Sequence, residues 1–356
     1  MMNQHKPRLL TGDTPTGRLH LGHWVGSLEN RVHMQNDYDC YFIIANVHAF
    51  TTRVEKPAEI HQSTMDIAID YLAAGIDPNR SAIFLQSEIG AIAEMTFFFS
   101  MLIPFPRLMR NPTIKDEIRD KGLGDNYSMG FLLYPIGQVA DILVFRPDIV
   151  PVGEDQVPHI EMTREVARRF NQVYCQVDPH TEDADYIAKG GVFPIVHTKL
   201  GRSKRLVGLG GPDASGNLLK MSKSLNNAIF LSDDADTIKK KVMSMYTDPK
   251  RLKPTDKGTI ENNPLWIFHD TFNPDKAWVK EAKERYRNGT IGDVECKKSL
   301  IDALVAFIDP IRRRRLELEK DLHYVQTVLR EGTARANEVA NTTLLLAKEA
   351  MRQRYF

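Results

Sequence analysis

The chain has 356 residues, 42% hydrophobic and 26% charged, with a formal net charge of +1. That make-up suits one large folded domain plus a smaller one and excludes a disordered chain or a polycation, so any grip on nucleic acid must come from local patches. Cys40, Cys175 and Cys296 lie far apart with no CxxC pair and no zinc-spaced histidine, which predicts reduced thiols and neither a disulfide frame nor a bound metal. The N-terminal MMNQHKPRLL lacks the apolar core of a signal peptide, and the most apolar run, Met95 to Phe105, falls short of the about 20 residues a bilayer span needs. The expectation is a soluble, cytoplasmic protein with no membrane association.

In chain order, Arg8 to Gly12 predicts a strand ending in a turn, His20 to Met34 a helix, and Cys40 to Ala45 a second strand. Pro57 to Ile76 predicts a helix with proline in its first turn and Gly75 at its end, followed by a buried strand over Ala82 to Leu85. Asp148 to Val152 predicts a fourth strand and Gln156 to Phe170 the helix after it. This alternation predicts an α/β fold: a Rossmann-type parallel-sheet catalytic domain over 1–230.

Between Ser87 and Gly130 the alternation breaks, so about 88–130 reads as an inserted helical segment. Its dense apolar run, with Phe97, Phe98, Phe99, Met101, Leu102, Ile103 and Phe105, is either a buried helix or a face shared with a second copy of the chain. From Asp233 the pattern is helical. Ala235 to Met245 is basic and amphipathic. Val294, Ile301, Leu304, Val305, Ile308 and Ile311 fall near helical spacing, with a kink expected at Pro310. A last helix is expected over Ala334 to Met351. The region 231–356 is therefore an all-helical domain, its last helix placed to pack back on the first domain.

Two loops carry the chemistry. In the first, a strand runs into the turn Thr11-Gly12-Asp13-Thr14-Pro15-Thr16-Gly17, and the turn into the helix start His20-Leu21-Gly22-His23. A helix start has unpaired N–H donors and a positive dipole end that suit phosphate. Gly22 allows close approach of a ring or phosphate, and His20 and His23, three apart, share a face from which they can donate to oxygens gaining charge. The plainer reading is a tight turn and helix cap. In the second loop, Lys220-Met221-Ser222-Lys223-Ser224 follows a glycine-rich stretch, Gly208 to Gly216, and pairs two lysines as an anion clamp on a loop able to close. A solvated basic loop is the plainer reading there.

Together these two motifs resemble the signature pair of the class I aminoacyl-tRNA synthetases, in the branch that handles tryptophan and tyrosine, over nearly the whole chain. The resemblance implies that L-tryptophan and ATP, the latter with Mg²⁺, form an aminoacyl-adenylate and pyrophosphate. The aminoacyl group then passes to the 3′ end of tRNA(Trp), releasing AMP, in a homodimer. It implies His20, His23, Lys220 and Lys223 as catalytic residues. It implies ATP contacts from Thr14, Pro15, Thr16, Gly22, Gly153, Glu154, Asp155, Leu206, Met221, Ser222 and Ser224.

For the amino acid, Gly153-Glu154-Asp155-Gln156 followed by His159, Glu161, Thr163 and Arg164 resembles the tryptophanyl form. By resemblance Gln156 helps fix the amino acid, Tyr134 contacts its α-amino group, and Asp141 accepts the indole N–H. A donor-only nitrogen matches an acceptor-only carboxylate, and an analogue lacking the N–H would leave that carboxylate unpaired. Gln138, three before Asp141, is at the spacing of the tyrosyl branch, whereas Leu10 at the first strand's end offers a phenol no second partner. His48 follows the second strand, where such folds bind ligands, and reads equally as a core histidine. Tyrosine activation, or a synthetase-like paralogue with a binding or regulatory role, remain the alternatives. By resemblance the helical domain reads the anticodon, and Lys239 to Lys241 and Arg312 to Arg315 are its basic runs.

Overall fold

Short β-branched and aromatic runs build the centre of the molecule. In the computed structural model, which describes residues 6–120, 122–124, 126–153, 156–200 and 206–356, they form β1 (Arg8–Asp13), β2 (Asp39–Ile44), β3 (Ser81–Leu85), β4 (Ile149–Val152) and β5 (His197–Leu200). All pair in parallel, in the order β3-β2-β1-β4-β5. The fifth strand is an addition to the four expected. Its signal is the short β-branched run Ile195-Val196-His197-Thr198, too short to stand out. The connection changes direction at β1, so the crevice between β1 and β4 is where such a sheet binds ligands. β1 matches β2 along six residues but meets β4 at Leu9 and Ile149 alone, which leaves their carboxyl ends apart.

After β1 the chain enters a helical run: α1 (Leu21–His23), a π-helical turn over Trp24–Leu28, and α2 (Glu29–Met34). A π turn inserts a residue and is frequent beside functional sites. Next come α3 (Asn46–Arg53) and α4 (Pro57–Ala74), the latter ending at Gly75. The inserted segment holds α5 (Gly90–Ser100), α6 (Phe105–Met109) and α7 (Pro112–Asp120), and leads into α8 (Met129–Leu143) and, beyond β4, α9 (Val157–Tyr174). In the apolar run Met95, Phe99 and Ile103 are buried, while Phe97, Met101 and Phe105 are each about 60% exposed (65%, 60% and 59%). One face of that run is therefore the buried helix expected, and the other face is left exposed.

The rest is α10 (Ala235–Met243), α11 (Pro264–Phe272), α12 (Lys276–Asn288), α13 (Asp293–Lys320) and α14 (Leu322–Ala350). α13 continues through Pro310 without a break, and α14 begins twelve residues earlier than Ala334. Successive strand residues point to opposite faces. Leu9, Phe42 and Ile83 enter a core that runs on into Trp266 of α11 and Leu300 and Ile308 of α13. Leu10, Tyr41, Ile43 and Phe84 enter a second core with α8 and α9. The sheet thus shares one core with α11 and α13.

α14 packs against β3, the sheet's edge strand, and against α5. A Cβ on its Gly332 would stand 2.1 Å from the Ile83 carbonyl oxygen, and Thr333 Oγ1 accepts the Leu85 N–H at 3.3 Å. The helix so covers an edge that would otherwise invite pairing with another chain. No helix among the described residues is long and apolar enough to cross a membrane.

The basic runs are only in part an open cationic surface: Lys239, Lys240, Arg313 and Arg314 are exposed, and the others are not. Arg315 is 1% exposed, Arg314 donates to the Ala73 carbonyl at 2.6 Å, and Arg313 pairs with Asp309 at 2.7 Å. Lys241 is likewise tied to Asp233 at 2.6 Å. Arg314 and Arg315 point at α4, because a run of like charges winds around a helix and part of it must meet the neighbouring element. They tie α13 to α4, with Arg315 withdrawn from the surface and Arg314 still exposed.

Candidate active site

The carboxyl ends of β1, β2 and β4, with α8 and the start of α9, enclose a cavity of about 420 Å³. Leu10, Ile43, Ile142, Val150 and Ile160 give it apolar walls, and His48, Tyr134, Gln138, Asp141, Gln156 and His159 give it polar points. All six residues expected to hold the amino acid, Leu10, His48, Tyr134, Gln138, Asp141 and Gln156, line this one space. Gln138 Nε2 donates to Gln156 Oε1 at 3.4 Å. The Tyr134 ring meets His48 edge-on at 4.8 Å and lies 5.8 Å from His159, and burial together with the Glu117 carboxylate pushes its phenol up.

Asp141, 6% exposed, is held by a residue the sequence reading missed. Gln86, directly after β3, donates from Nε2 to both carboxylate oxygens at 2.8 and 2.9 Å. Its Oε1 accepts the His48 N–H at 3.0 Å, so one amide ties together β3, α3 and α8. Burial pushes Asp141 up to about 7, and the Gln86 bond pulls the other way. The signal for Gln86 was its position: a polar residue at the carboxyl end of a buried parallel strand.

The two histidines and the lysine loop form a cluster beside the cavity and outside its walls. The His20 and His23 rings stack 3.8 Å apart. His20 Nδ1 accepts the Gly22 N–H and His23 Nδ1 accepts the His20 N–H, each at 3.1 Å. That pattern puts the ring proton on Nε2 in both residues. Burial, each other and the lysines push His20 down to about 3. Burial, against the opposing Asp13, pushes His23 down to about 4. Both are neutral N–H donors at physiological pH.

The helix start is not the open set of N–H groups that its sequence suggested. Leu21 N–H goes to the Ile229 carbonyl at 2.9 Å, His23 N–H to the His20 carbonyl at 2.8 Å, and Gly22 N–H to His20 Nδ1 and to Met221 Sδ at 3.3 Å. The ring donors, not the backbone, are what this turn has left to offer an anion. Gly22 is required by the fold itself, since a Cβ would stand 2.9 Å from the His20 ring and 3.4 Å from Met221 Cβ.

Thr14 lines the cavity, Pro15 is buried with its carbonyl accepting from Arg53, and Thr16 Oγ1 accepts from Lys223 Nζ at 3.4 Å. The residues 13–16 thus join cavity and lysine loop. Met221 is 1% exposed and anchors the loop in the core. Ser222 N–H donates to Asn227 Oδ1 at 2.7 Å, and the Ser222 and Ser224 hydroxyls are 2.9 Å apart. Lys220 is exposed. The Leu206 side chain faces the core under the lysine loop. It packs in the core at 3% exposure, and its carbonyl accepts the Met221 N–H at 3.1 Å; an apolar side chain under the loop gains more from burial than from facing a nucleotide. Gly153 lines the cavity, and Glu154 and Asp155 lie outside the described residues.

A buried ion pair, absent from the sequence reading, sits under the turn. Arg31 donates to Asp13 at 2.7 Å and to Tyr71 Oη at 2.7 Å. Burial alone would raise the Asp13 carboxyl, but the Arg31 guanidinium holds it down at about 2. Among the described residues no group of three or more His, Cys, Asp or Glu could hold a metal ion.

Burial lowers Lys223 to about 8, against the pull of Asp70 and Asp13. A polyphosphate favours the charged amine. ATP affinity is therefore expected to be full below pH 8 and to fall as the pH rises through it. Titration of ATP binding from pH 7 to 9.5 reads this, and Lys223→Met should flatten the curve; an equally steep curve in that variant would remove Lys223 from the phosphate site.

A family model described as "tRNA synthetases class I (W and Y)" matches residues 2–309. A tryptophan–tRNA ligase of Streptococcus pneumoniae serotype 4 is 46% identical over 356 residues, 99% of each chain. One from Streptococcus agalactiae serotype V has the same identity and coverage. Among solved structures, the Campylobacter jejuni tryptophanyl-tRNA synthetase complexed with ADP and tryptophan matches with a TM-score of 0.81 at 29% identity, covering 97% of this chain and 99% of that one.

Proposed function

Because the chain belongs to the class I tRNA synthetases of the tryptophan and tyrosine branch, we propose that it activates L-tryptophan with ATP and transfers it to the 3′ end of tRNA(Trp). The observation that carries the amino-acid reading is Asp141: a buried carboxylate, at one end of an apolar cavity, held by Gln86 through both oxygens. It offers acceptors and no donor except when protonated, which suits the indole N–H. A phenol oxygen would also want a donor, and Leu10, within β1, has none to give. Full-length relatives that are tryptophan–tRNA ligases and a related enzyme holding ADP and tryptophan support the same choice.

In the proposed reaction a tryptophan carboxylate oxygen bonds to the α-phosphorus of ATP, and the bond from that phosphorus to the β-phosphate bridging oxygen breaks. Pyrophosphate leaves with the electron pair. The amino acid is its own nucleophile, so the chain needs only to position and to stabilise charge. Tyr134, Gln138, Gln156 and His48 orient the amino acid around Asp141. The neutral Nε2–H groups of His20 and His23 donate to phosphate oxygens, and Lys220 and Lys223 neutralise the departing pyrophosphate. Mg²⁺ enters with the triphosphate as part of the substrate. In the second step a hydroxyl of the terminal ribose at the 3′ end of tRNA(Trp) attacks the aminoacyl carbonyl and gives up its proton, and AMP leaves.

Pyrophosphate exchange into ATP, with each of the twenty amino acids tested singly, reads this directly. Exchange with tryptophan alone is expected. Exchange with tyrosine would keep the mechanism and overturn the role of Asp141, and no exchange by folded protein that binds ATP would favour the binding paralogue.

The exposed face of Phe97, Met101 and Phe105 supports assembly as a homodimer, since a patch of that kind is costly in water. Sedimentation at micromolar concentration should give twice the chain mass, falling towards the single-chain mass in Phe97→Glu. A single-chain mass for the unaltered protein would rule the dimer out.

A further inference from the structure

We propose that Arg315, a residue of the helical domain, is a positioning residue for ATP, acting through Asp70 on the loop that carries His20. The inference rests on the reading of this site as an ATP-dependent synthetase centre. Arg315 lies on α13 and is 1% exposed. Its guanidinium bonds to Asp70 Oδ1, lies 2.5 Å from Asp66 Oδ1 and 3.1 Å from a Glu319 oxygen, and donates to the Asp66 carbonyl at 3.2 Å.

The other oxygen of Asp70 faces the catalytic loop. Asp70, 0% exposed, accepts the Leu19 N–H on Oδ2 at 2.7 Å. Arg18, one residue earlier, lies 3.4 Å from Asp66 and 3.8 Å from Glu319. The two residues immediately before His20 are thus gripped by the same carboxylates that Arg315 holds. A carboxylate with one oxygen on a guanidinium and the other on a backbone N–H cannot turn toward either without giving up the other. Leu19 in turn fixes His20, whose carbonyl accepts the His23 N–H at 2.8 Å and whose ring stacks on His23. The Nε2 donors of both rings therefore stand where Arg315 and Asp70 let the loop stand.

A purely structural ion cluster would hold the two domains together equally well without ending on the amide beside a catalytic histidine. The geometry predicts a selective effect: loosening the cluster should disturb the phosphate side and leave the amino-acid cavity, built on Asp141 and Gln86, intact. Two near-isosteric variants test this in the full chain. Arg315→Lys keeps a charge but has one ammonium where a planar fork held two carboxylates. Asp70→Asn keeps shape but loses the charge-assisted pairing.

Pyrophosphate exchange is measured with ATP and tryptophan varied separately, beside melting curves and the unaltered enzyme. In each variant the KM for ATP should rise about tenfold or more, or kcat fall by as much, with the KM for tryptophan within twofold. The double variant should be no worse than the worse single one, as expected for residues acting as a unit. Folded variants with ATP kinetics within twofold of the unaltered enzyme overturn the proposal, as does a rise in both KM values together. Where one variant does not fold, the other decides. Exchange absent from the unaltered enzyme would instead overturn the reading of the site itself.

Discussion

A carboxylate buried in an apolar cavity is the constraint from which the rest of this site follows. Taken from water without partners, an ionised carboxyl is so costly that it takes up a proton instead. Asp141 sits near that balance, at about 7. Gln86 tips it toward the charged form by donating to both oxygens, and it can do so only because β3 ends at Leu85 and α3 presents the His48 N–H to the other side of the same amide. A ligand N–H tips it further. Specificity of this kind comes less from what the correct ligand gains than from what the site loses when a ligand leaves the buried acceptor unmatched.

The proposed phosphate side obeys a different rule. The helix start beside it has spent its backbone donors on Ile229, on the His20 carbonyl and on the His20 ring, so charge stabilisation falls to side chains. Burial keeps both histidines neutral, and their Nδ1 contacts direct the remaining proton outward from Nε2. The cations come from a separate loop anchored by the buried Met221. Beneath lie two buried ion groups, Asp13 with Arg31 and Asp66 and Asp70 with Arg315. Breaking one partner out of such a group typically costs about 3–5 kcal/mol, so they fix the turn rigidly between sheet and helical domain.

Much of this was legible in the sequence because it is local. Parallel strands and their crossover helices follow from periodicity, and the six residues expected around the amino acid do share one cavity. What was not legible is long-range. Gln86 and Asp141 are 55 positions apart, and Arg315 and Asp70 are 245 apart. Nothing along the chain marks an arginine in a run of four as the one that turns inward. The helix-start reading failed for a related reason: the free N–H groups of an isolated helix are a property of the segment, whereas their occupation by Ile229 and a histidine ring is a property of the fold.

The claim that a buried acceptor selects the ligand is best tested by removing one hydrogen-bond donor from the ligand rather than from the protein. In 3-benzothienylalanine a sulfur replaces the indole N–H with little change in shape. The ratio of kcat/KM for tryptophan over this analogue, measured in pyrophosphate exchange, should be roughly a hundredfold or more in the unaltered enzyme and should fall about tenfold or more in Gln86→Leu, where Asp141 loses the amide that holds it. Use of both amino acids within about threefold by the unaltered enzyme would mean that Asp141 does not read the indole nitrogen, and would contradict the account.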